Sequence, residues 1–134
     1  MVDPELGEAG DIDSAAVTLK TASGKIVVIN NSRRATYGYD QRVEVHGSDG
    51  MLRAANQLEH LVEQAGGAGF TTAPNKHFFL ERYEGAYIAE MEAFIAALNS
   101  GATPTPNISD GVAAQRLADA AAESLRTGLP INLA

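Results

Sequence analysis

The sequence contains no cysteine and few basic residues. The absence of cysteine excludes disulfides, a thiolate nucleophile and a cysteine-ligated zinc site. Ten Lys and Arg stand against 17 Asp and Glu, which gives a formal net charge of −7. This balance disfavours nucleic acid as a partner, because phosphate binding needs a basic face and the ten basic residues are scattered.

Long apolar runs are also absent. No stretch approaches the roughly 20 residues of a transmembrane helix. The acidic residues 1–8 lack the basic and apolar regions of a signal peptide. We therefore predict a cytoplasmic protein without a membrane partner. A hydrophobic content of 45% over 134 residues is typical of one globular domain with its own core.

The first half of the sequence has strand patterns. Residues 1–12 are acidic and contain Pro4, Gly7 and Gly10, so we predict a flexible segment that leads into a single domain over residues 13–134. The second strand is apolar on both faces and is expected in the centre of the sheet. The predicted strands cover residues 15–20, 25–30, 41–46, 51–55 and 59–63.

The second half predicts two helices. Apolar residues recur every three or four positions between about 76 and 99, and the run from Gly101 to Pro106 ends this helix. Ser109 is the predicted N-cap of the second helix, whose apolar side chains are expected to face inward. Residues 129–133 are predicted as a short edge strand. The fold class is therefore α+β, with an open, mainly antiparallel sheet and two helices packed on one face.

The connection between the second and third strands carries the most promising side chains. Tyr37 and Tyr39 suit a polyol, because phenols exchange hydrogen bonds with hydroxyl groups and their rings stack on sugar faces. From residue types alone, covering the sheet edge is an equally good interpretation. Arg33 and Arg34 could clamp an anion, although a solvated or interface pair is commoner. Asp40 could orient its tyrosine or arginine neighbours, or bond its own turn.

Other chemistry finds no support in the sequence. The three histidines, His46, His60 and His77, are far apart, and no acid–base partner can be named for any of them. The glycine-rich run 66–69 lacks the Lys-Ser/Thr of a phosphate loop, and no dinucleotide fingerprint joins a strand to a helix. We predict no catalytic residue, no metal site and no cofactor site in this chain.

The block Tyr37-Gly38-Tyr39-Asp40, with the following Arg42-Val43-Glu44-Val45 and the turn Gly47 to Gly50, resembles the C-terminal sheet of the Gfo/Idh/MocA oxidoreductases. Within this family the likeness is to inositol 2-dehydrogenases, and it runs from about residue 11 to residue 134. Such enzymes carry a nucleotide-binding domain, a Glu-Lys-Pro lysine and an Asp-x-x-x-His pair upstream of the matched region. None of these stands in this sequence.

The resemblance implies specific roles. Tyr37 matches the tyrosine that lines the inositol pocket in the family, which makes it the predicted substrate-binding residue. In the family the sheet forms subunit contacts, and apolar residues on both predicted sheet faces, such as Val27 and Val45, also call for a partner. A homo-oligomer through the sheet is therefore expected.

Two functions remain open at this point. The first is the C-terminal substrate-binding and oligomerisation domain of an NAD-dependent inositol 2-dehydrogenase-like oxidoreductase, here without its nucleotide-binding domain. NAD or NADP and an inositol-like polyol are then implied for the intact enzyme, and this chain alone is predicted to be inactive. The alternative is a stand-alone, non-catalytic binding or assembly module derived from such an enzyme.

Overall fold

A computed structural model describes residues 3–133. The elements of this part are, in chain order, α1 Pro4–Glu8, β1 Ser14–Lys20, β2 Ile26–Ser32, β3 Val43–Gly47, β4 Gly50–Ala54, β5 Glu63–Gly66, β6 Gly69–Thr72, α2 Phe79–Ser100 and α3 Ile108–Thr127. The predicted α+β class, with antiparallel strands followed by two long helices, is confirmed. The strands form three two-stranded sheets, β1 with β2, β3 with β4 and β5 with β6. The central position predicted for β2 is wrong, since β1 is its one neighbour among the described strands.

Contacts divide the chain into two units. The first contains the residues up to Ala16 together with Ile29–Tyr87, and the second contains Val17–Val28 and the residues from Ile88 onward. The single domain over residues 13–134 stays a prediction. Residues 1 and 2 of the predicted lead-in segment, and residue 134 of the predicted domain, lie outside the described residues.

The lead-in segment contains a short helix that the sequence analysis missed. Asp3 caps α1 by accepting a hydrogen bond from the Glu5 backbone N–H, and Pro4 lies in the first turn, where its missing N–H costs nothing. A helix of five residues has no room for an apolar stripe. The cap at Asp3 and the proline that follows it were therefore the signals available in the sequence.

The β3–β4 hairpin matches its prediction closely. Val45 pairs with Leu52 and Val43 with Ala54, so these four side chains share one face of the hairpin. Glu44 and its partner Arg53 lie on the opposite face. The hairpin is thus amphipathic, yet its apolar side is uncovered: Val43 is 55% exposed, Val45 57% and Leu52 77%.

The strand predicted over residues 59–63 is wrong in position. The chain instead forms a second hairpin, in which Glu63 pairs with Thr72 and Gly66 with Gly69. Gly67 and Ala68 make its turn. The glycines that were expected to end a strand therefore connect two strands, and Gly69 adopts a φ of 107° that favours glycine.

The two long helices begin and end close to their predicted limits, but the N-cap of α3 differs from the prediction. Asn107, not Ser109, is the N-cap of α3, and its side chain forms a capping box with Asp110. Gly128 ends the helix in the left-handed conformation, as predicted. The predicted edge strand over residues 129–133 is wrong, because these residues form no strand.

The inward-facing helix side chains are not covered within the described part of the chain. Over residues 3–133, Ala73 is the one buried residue with an apolar side chain, and it lies outside both helices. Large apolar side chains along both helices are exposed, namely Tyr87, Met91, Phe94, Ile95, Leu98, Val112, Leu117 and Leu125. Apolar surface of this extent marks a surface that binds something else.

Candidate functional site

The connection between β2 and β3, residues 33–42, is held in place by Gly38. Gly38 is buried and adopts a φ of 110°, a conformation that side chains rarely tolerate. A Cβ at this position would lie 2.9 Å from the backbone oxygen of Asn75 and 3.1 Å from that of Lys76. Next to it, the Tyr39 N–H donates to the Lys76 carbonyl over 2.8 Å. The close approach that only glycine allows thus fastens the connection to the segment before α2.

The segment before α2 is itself anchored by the chain that follows β4. The Lys76 N–H donates to the Gln57 carbonyl over 2.9 Å, and the Glu59 N–H donates to the Pro74 carbonyl over 3.0 Å. Three stretches that are distant in sequence therefore meet behind Gly38. This backing determines where the side chains of residues 37–42 are presented.

Asp40 is the centre of a hydrogen-bond network on this connection. The Tyr37 hydroxyl donates to its Oδ2 over 2.6 Å. Arg42 donates to both carboxylate oxygens, over 2.7 Å from Nε and 2.8 Å from Nη2. The Asn56 amide donates to Oδ1 over 2.9 Å, while its own oxygen accepts from the Gln41 N–H. We call Tyr37, Asp40, Arg42 and Asn56 the Asp40 network.

The network determines the protonation states of its members. Hydrogen bonds from Arg42, Tyr37 and Asn56, in that order of importance, hold the pKa of the Asp40 carboxyl well below its usual range. The hydrogen bond to Asp40 raises the pKa of the Tyr37 phenol. Near neutral pH, Asp40 is therefore an anion and Tyr37 keeps its proton.

Tyr37 is fixed at its hydroxyl but open at its ring. The residue is 60% exposed, whereas the Asp40 side chain is only 15% exposed. A tyrosine that covered the sheet edge would be buried by it. The exposed ring leaves Tyr37 free to contact a partner, and its role in substrate binding stays a prediction.

An open cleft of about 670 Å³ lies beside the network within the first unit. Amide, hydroxyl and carboxylate side chains supply much of its polar lining, including Asn30, Asn31, Gln41 and Asp40. Tyr39 and Tyr83 also line it, and their rings meet edge-on with centroids 5.6 Å apart. Such a lining suits a small neutral molecule with many hydroxyl groups, because each lining group can donate or accept hydrogen bonds.

The arginine pair has partners of its own. Arg33 Nη1 lies 2.6 Å from a carboxylate oxygen of Asp11, and Arg34 forms an ion pair with Asp3. These contacts tie the residues around α1 to the end of β2. Because both guanidinium groups already bind carboxylates, the arrangement favours the structural interpretation of this pair over an anion clamp.

The glycine-rich run does not have the setting of a dinucleotide site. The glycine-rich run lies in the turn of the β5–β6 hairpin, so no helix N-terminus follows it to receive a phosphate. Over residues 3–133 no group of three or more His, Asp or Glu side chains converges as a metal site would require. No helix in this part of the chain is both long and apolar enough to cross a membrane.

The structure adds partners that sequence reasoning missed. The sequence analysis selected Tyr37 and allowed Asp40 to orient its neighbours, and the structure brings these two together. Asn56 and Gln41 were not singled out, and Tyr83 was considered only as part of a helical apolar stripe. For Asn56 no local signal exists, since its role depends on β4 returning beside the connection.

Comparison with known proteins identifies the family. The family described as "Oxidoreductase family, C-terminal alpha/beta domain" matches residues 2–133. An inositol 2-dehydrogenase of Rhizobium meliloti is 52% identical over the whole chain, which covers 41% of that protein. The crystal structure of a myo-inositol dehydrogenase from Corynebacterium glutamicum superposes with a TM-score of 0.91 and 40% identity, over 100% of this chain and 41% of that one.

A second similar structure contains ligands. It is a scyllo-inositol dehydrogenase from Lactobacillus casei with bound NAD(H) and scyllo-inositol, with a TM-score of 0.73 and 26% identity over 83% of this chain and 33% of that one. The chain thus spans about two fifths of the length of the first relative, 41%. On this evidence of sequence and fold, the chain belongs to the Gfo/Idh/MocA oxidoreductase family and corresponds to its C-terminal α/β domain.

Proposed function

We propose that the chain is the substrate-binding and oligomerisation domain of an NAD-dependent, inositol 2-dehydrogenase-like oxidoreductase. The observation that carries the proposal is the presentation of Tyr37, whose ring is exposed while its hydroxyl is held at 2.6 Å by Asp40. A phenol that is already ordered loses little entropy when a polyol binds to it. Tyr37 does not itself line the polar cleft, but its partner Asp40 does, so in this proposal the rest of the ligand extends from Tyr37 into the cleft.

The chemical step belongs to groups outside these 134 residues. Hydride transfer requires a nicotinamide held against the substrate carbon and a group that removes the hydroxyl proton. We propose that the described residues supply neither. In this proposal they bind the polyol, orient it through Tyr37 and line one side of its pocket.

The apolar face of the β3–β4 hairpin supports the assembly role. Its exposed side chains, Val43, Val45 and Leu52, lie on one face, whereas the opposite face carries Glu44, His46 and Arg53 with Met51 as its one large apolar residue. A second copy of the chain is the proposed occupant, because a twofold arrangement covers the same patch on both copies at once. The polyol site on residues 37–42 then directly precedes the assembly surface, which begins with β3 at Val43.

The substitution Tyr37→Phe tests the substrate role. It is made in the full-length protein, by which we mean this chain together with any residues that its gene encodes upstream. We expect kcat/KM for myo-inositol to fall a few-fold to about tenfold, the effect of one neutral hydrogen bond. The melting temperature should change little, because the exposed ring is retained. Steady-state NADH formation and a thermal melt measure the two quantities.

Tyr87→Phe is the matched control for this experiment. It makes the same chemical change at a half-exposed tyrosine of α2 that is not part of the Asp40 network. Its kinetics should equal those of the unmodified protein. If Tyr37→Phe leaves the kinetics unchanged and lowers only the melting temperature, Tyr37 is a structural residue and leaves the proposed site.

The isolated 134-residue chain should neither bind nor reduce NAD. The physical reason is the absence of a glycine fingerprint and of a helix N-terminus behind the glycine-rich turn. Calorimetric titration and an inositol-dependent NADH assay check this directly. Micromolar NAD binding by the pure chain would contradict the prediction.

The reading frame before Met1 separates this proposal from a stand-alone module. A nucleotide-binding domain encoded in frame upstream is the expected finding. A start codon at Met1 with its own promoter would instead support a binding or assembly module without chemistry of its own.

A further inference from the structure

We infer that Asp40 makes Tyr37 a hydrogen-bond acceptor toward its ligand, so that the site selects a polyol hydroxyl that donates its hydrogen to the Tyr37 oxygen. This inference rests on the proposed function, because it requires that Tyr37 contacts the substrate. It goes further in assigning Asp40 as a positioning residue and in specifying which ligand group can occupy the contact.

The direction of the Tyr37 hydroxyl follows from its single hydrogen. That hydrogen is committed to Asp40 Oδ2, 2.6 Å away. A carboxylate is acceptor-only, so the bond between the two residues exists only while the phenol donates. The phenolic oxygen then has lone pairs, and no hydrogen, to offer to a ligand.

The remaining partners of Asp40 prevent this polarity from reversing. Arg42 occupies both carboxylate oxygens in a bidentate pair, and Asn56 adds a third donor. Three donors stabilise the anion and fix its plane. If the phenol turned its hydrogen toward a ligand, two oxygens with facing lone pairs would remain 2.6 Å apart, which is strongly unfavourable.

The consequence is chemical selection at one position of the ligand. A hydroxyl at that position can donate to Tyr37. A carbonyl, a carboxylate or a fluorine can only accept, so each would place a second acceptor against the phenolic oxygen. The site should therefore distinguish a polyol from its keto form at this position, whatever occurs at the other ring carbons.

The test uses the full-length protein and two series of myo-inositol analogues, in which each hydroxyl in turn is replaced by hydrogen or by fluorine. Fluorine has about the size of a hydroxyl group and accepts weakly, but it cannot donate. The contact position is the one at which deoxygenation weakens binding to the unmodified protein but not to Tyr37→Phe. There we expect the deoxy analogue to bind a few-fold to about tenfold more weakly than myo-inositol, and the deoxyfluoro analogue to bind no more tightly than the deoxy analogue.

Asp40→Asn supplies the second readout. The asparagine amide can donate to the Tyr37 oxygen, which frees the phenolic hydrogen for the ligand. At the contact position the fluorine analogue should then bind several-fold more tightly than the deoxy analogue, a preference that a merely structural residue would not create. If Asp40→Asn does not fold, the comparison in the unmodified protein still decides the question.

The possible outcomes separate the two proposals. If no ring position loses its deoxygenation penalty in Tyr37→Phe, Tyr37 does not contact the substrate, and the proposed site itself is wrong. If a contact position exists but its fluorine analogue binds the unmodified protein as well as myo-inositol does, Tyr37 donates to the ligand. That result would overturn the role assigned to Asp40 and leave the proposed function standing.

Discussion

Replacing Gly38 by alanine should lower the free energy of unfolding by about 3 kcal/mol, the largest stability effect that we expect from a single methyl group in this chain. Two costs add up. A side chain at a φ of 110° is strained, at roughly 1–2 kcal/mol. The new Cβ would also press on backbone oxygens of Asn75 and Lys76, and overpacking of this kind costs about 1–3 kcal/mol.

The substitution Gly38→Ala should also disturb the candidate site. The new Cβ would press on the Lys76 carbonyl, which accepts the hydrogen bond from the Tyr39 N–H. Urea unfolding measures the stability, and the Michaelis constant for myo-inositol in the full-length protein should rise with it. Gly85→Ala is the control, since Gly85 lies inside α2 with open space around it. That substitution should stabilise the protein by about 0.5–1 kcal/mol. A Gly38→Ala protein as stable as the unmodified one would mean that the connection is not held in this way.

Replacing Val45 by lysine should weaken self-association about a thousandfold. Val45 is 57% exposed, so covering it completely is worth about 1 kcal/mol, which is half of a full valine burial. A twofold interface contains the residue twice, which gives about 2 kcal/mol. Burying two ammonium groups instead adds at least about as much again. A total of about 4 kcal/mol corresponds to nearly three powers of ten in the dissociation constant.

His46→Lys provides the matched control for the assembly surface. His46 is the next residue on the same strand, but its side chain lies on the opposite face of the hairpin and is 73% exposed. The same lysine there should leave the dissociation constant unchanged. Sedimentation of the full-length protein measures both variants.

Two results of this experiment would contradict assembly through the β3–β4 face. One is an unmodified protein that stays monomeric at high micromolar concentration. The other is a Val45→Lys variant that associates normally but melts at a much lower temperature. The second would indicate that another part of the same protein, rather than a second copy, covers this face.

Elements with a strong local pattern could be predicted from the sequence. The β3–β4 hairpin has alternating valines that end in a turn with two glycines, and α2 has apolar residues at helical spacing, so the ends of both were located to within three residues. The β5–β6 hairpin was misplaced because its strands are short and its glycines resemble the end of an element. At α3, both Asn107 and Ser109 are good caps, and only the backbone geometry selects between them.

The candidate site was predictable only as far as local chemistry extends. Tyr37 and Asp40 are three residues apart, so the sequence itself suggested that one could orient the other. Asn56 reaches Asp40 only because the β3–β4 register returns it there, and the carbonyl of Lys76 faces Gly38 only through tertiary contact. Such partners depend on long-range packing, for which a single sequence contains no local pattern.

The exposed helices limit sequence reasoning in another way. The apolar stripe of α2 was correctly located, yet residues such as Phe94 and Leu98 stay exposed in the described part of the chain. Periodicity shows that a face will be buried, but not by what. This chain covers 41% of its relative's length, so the surface that covers the α2 stripe can belong to a part of the protein outside these 134 residues.

The most direct test is a crystal structure of the full-length protein with bound myo-inositol. We expect a ring hydroxyl about 2.7–2.8 Å from the Tyr37 oxygen, the usual length of such a hydrogen bond. The bond from Tyr37 to Asp40 should be intact in the complex. An inositol bound away from Tyr37, with the phenol still open to solvent, would contradict the assignment of this chain as the substrate-binding domain through Tyr37.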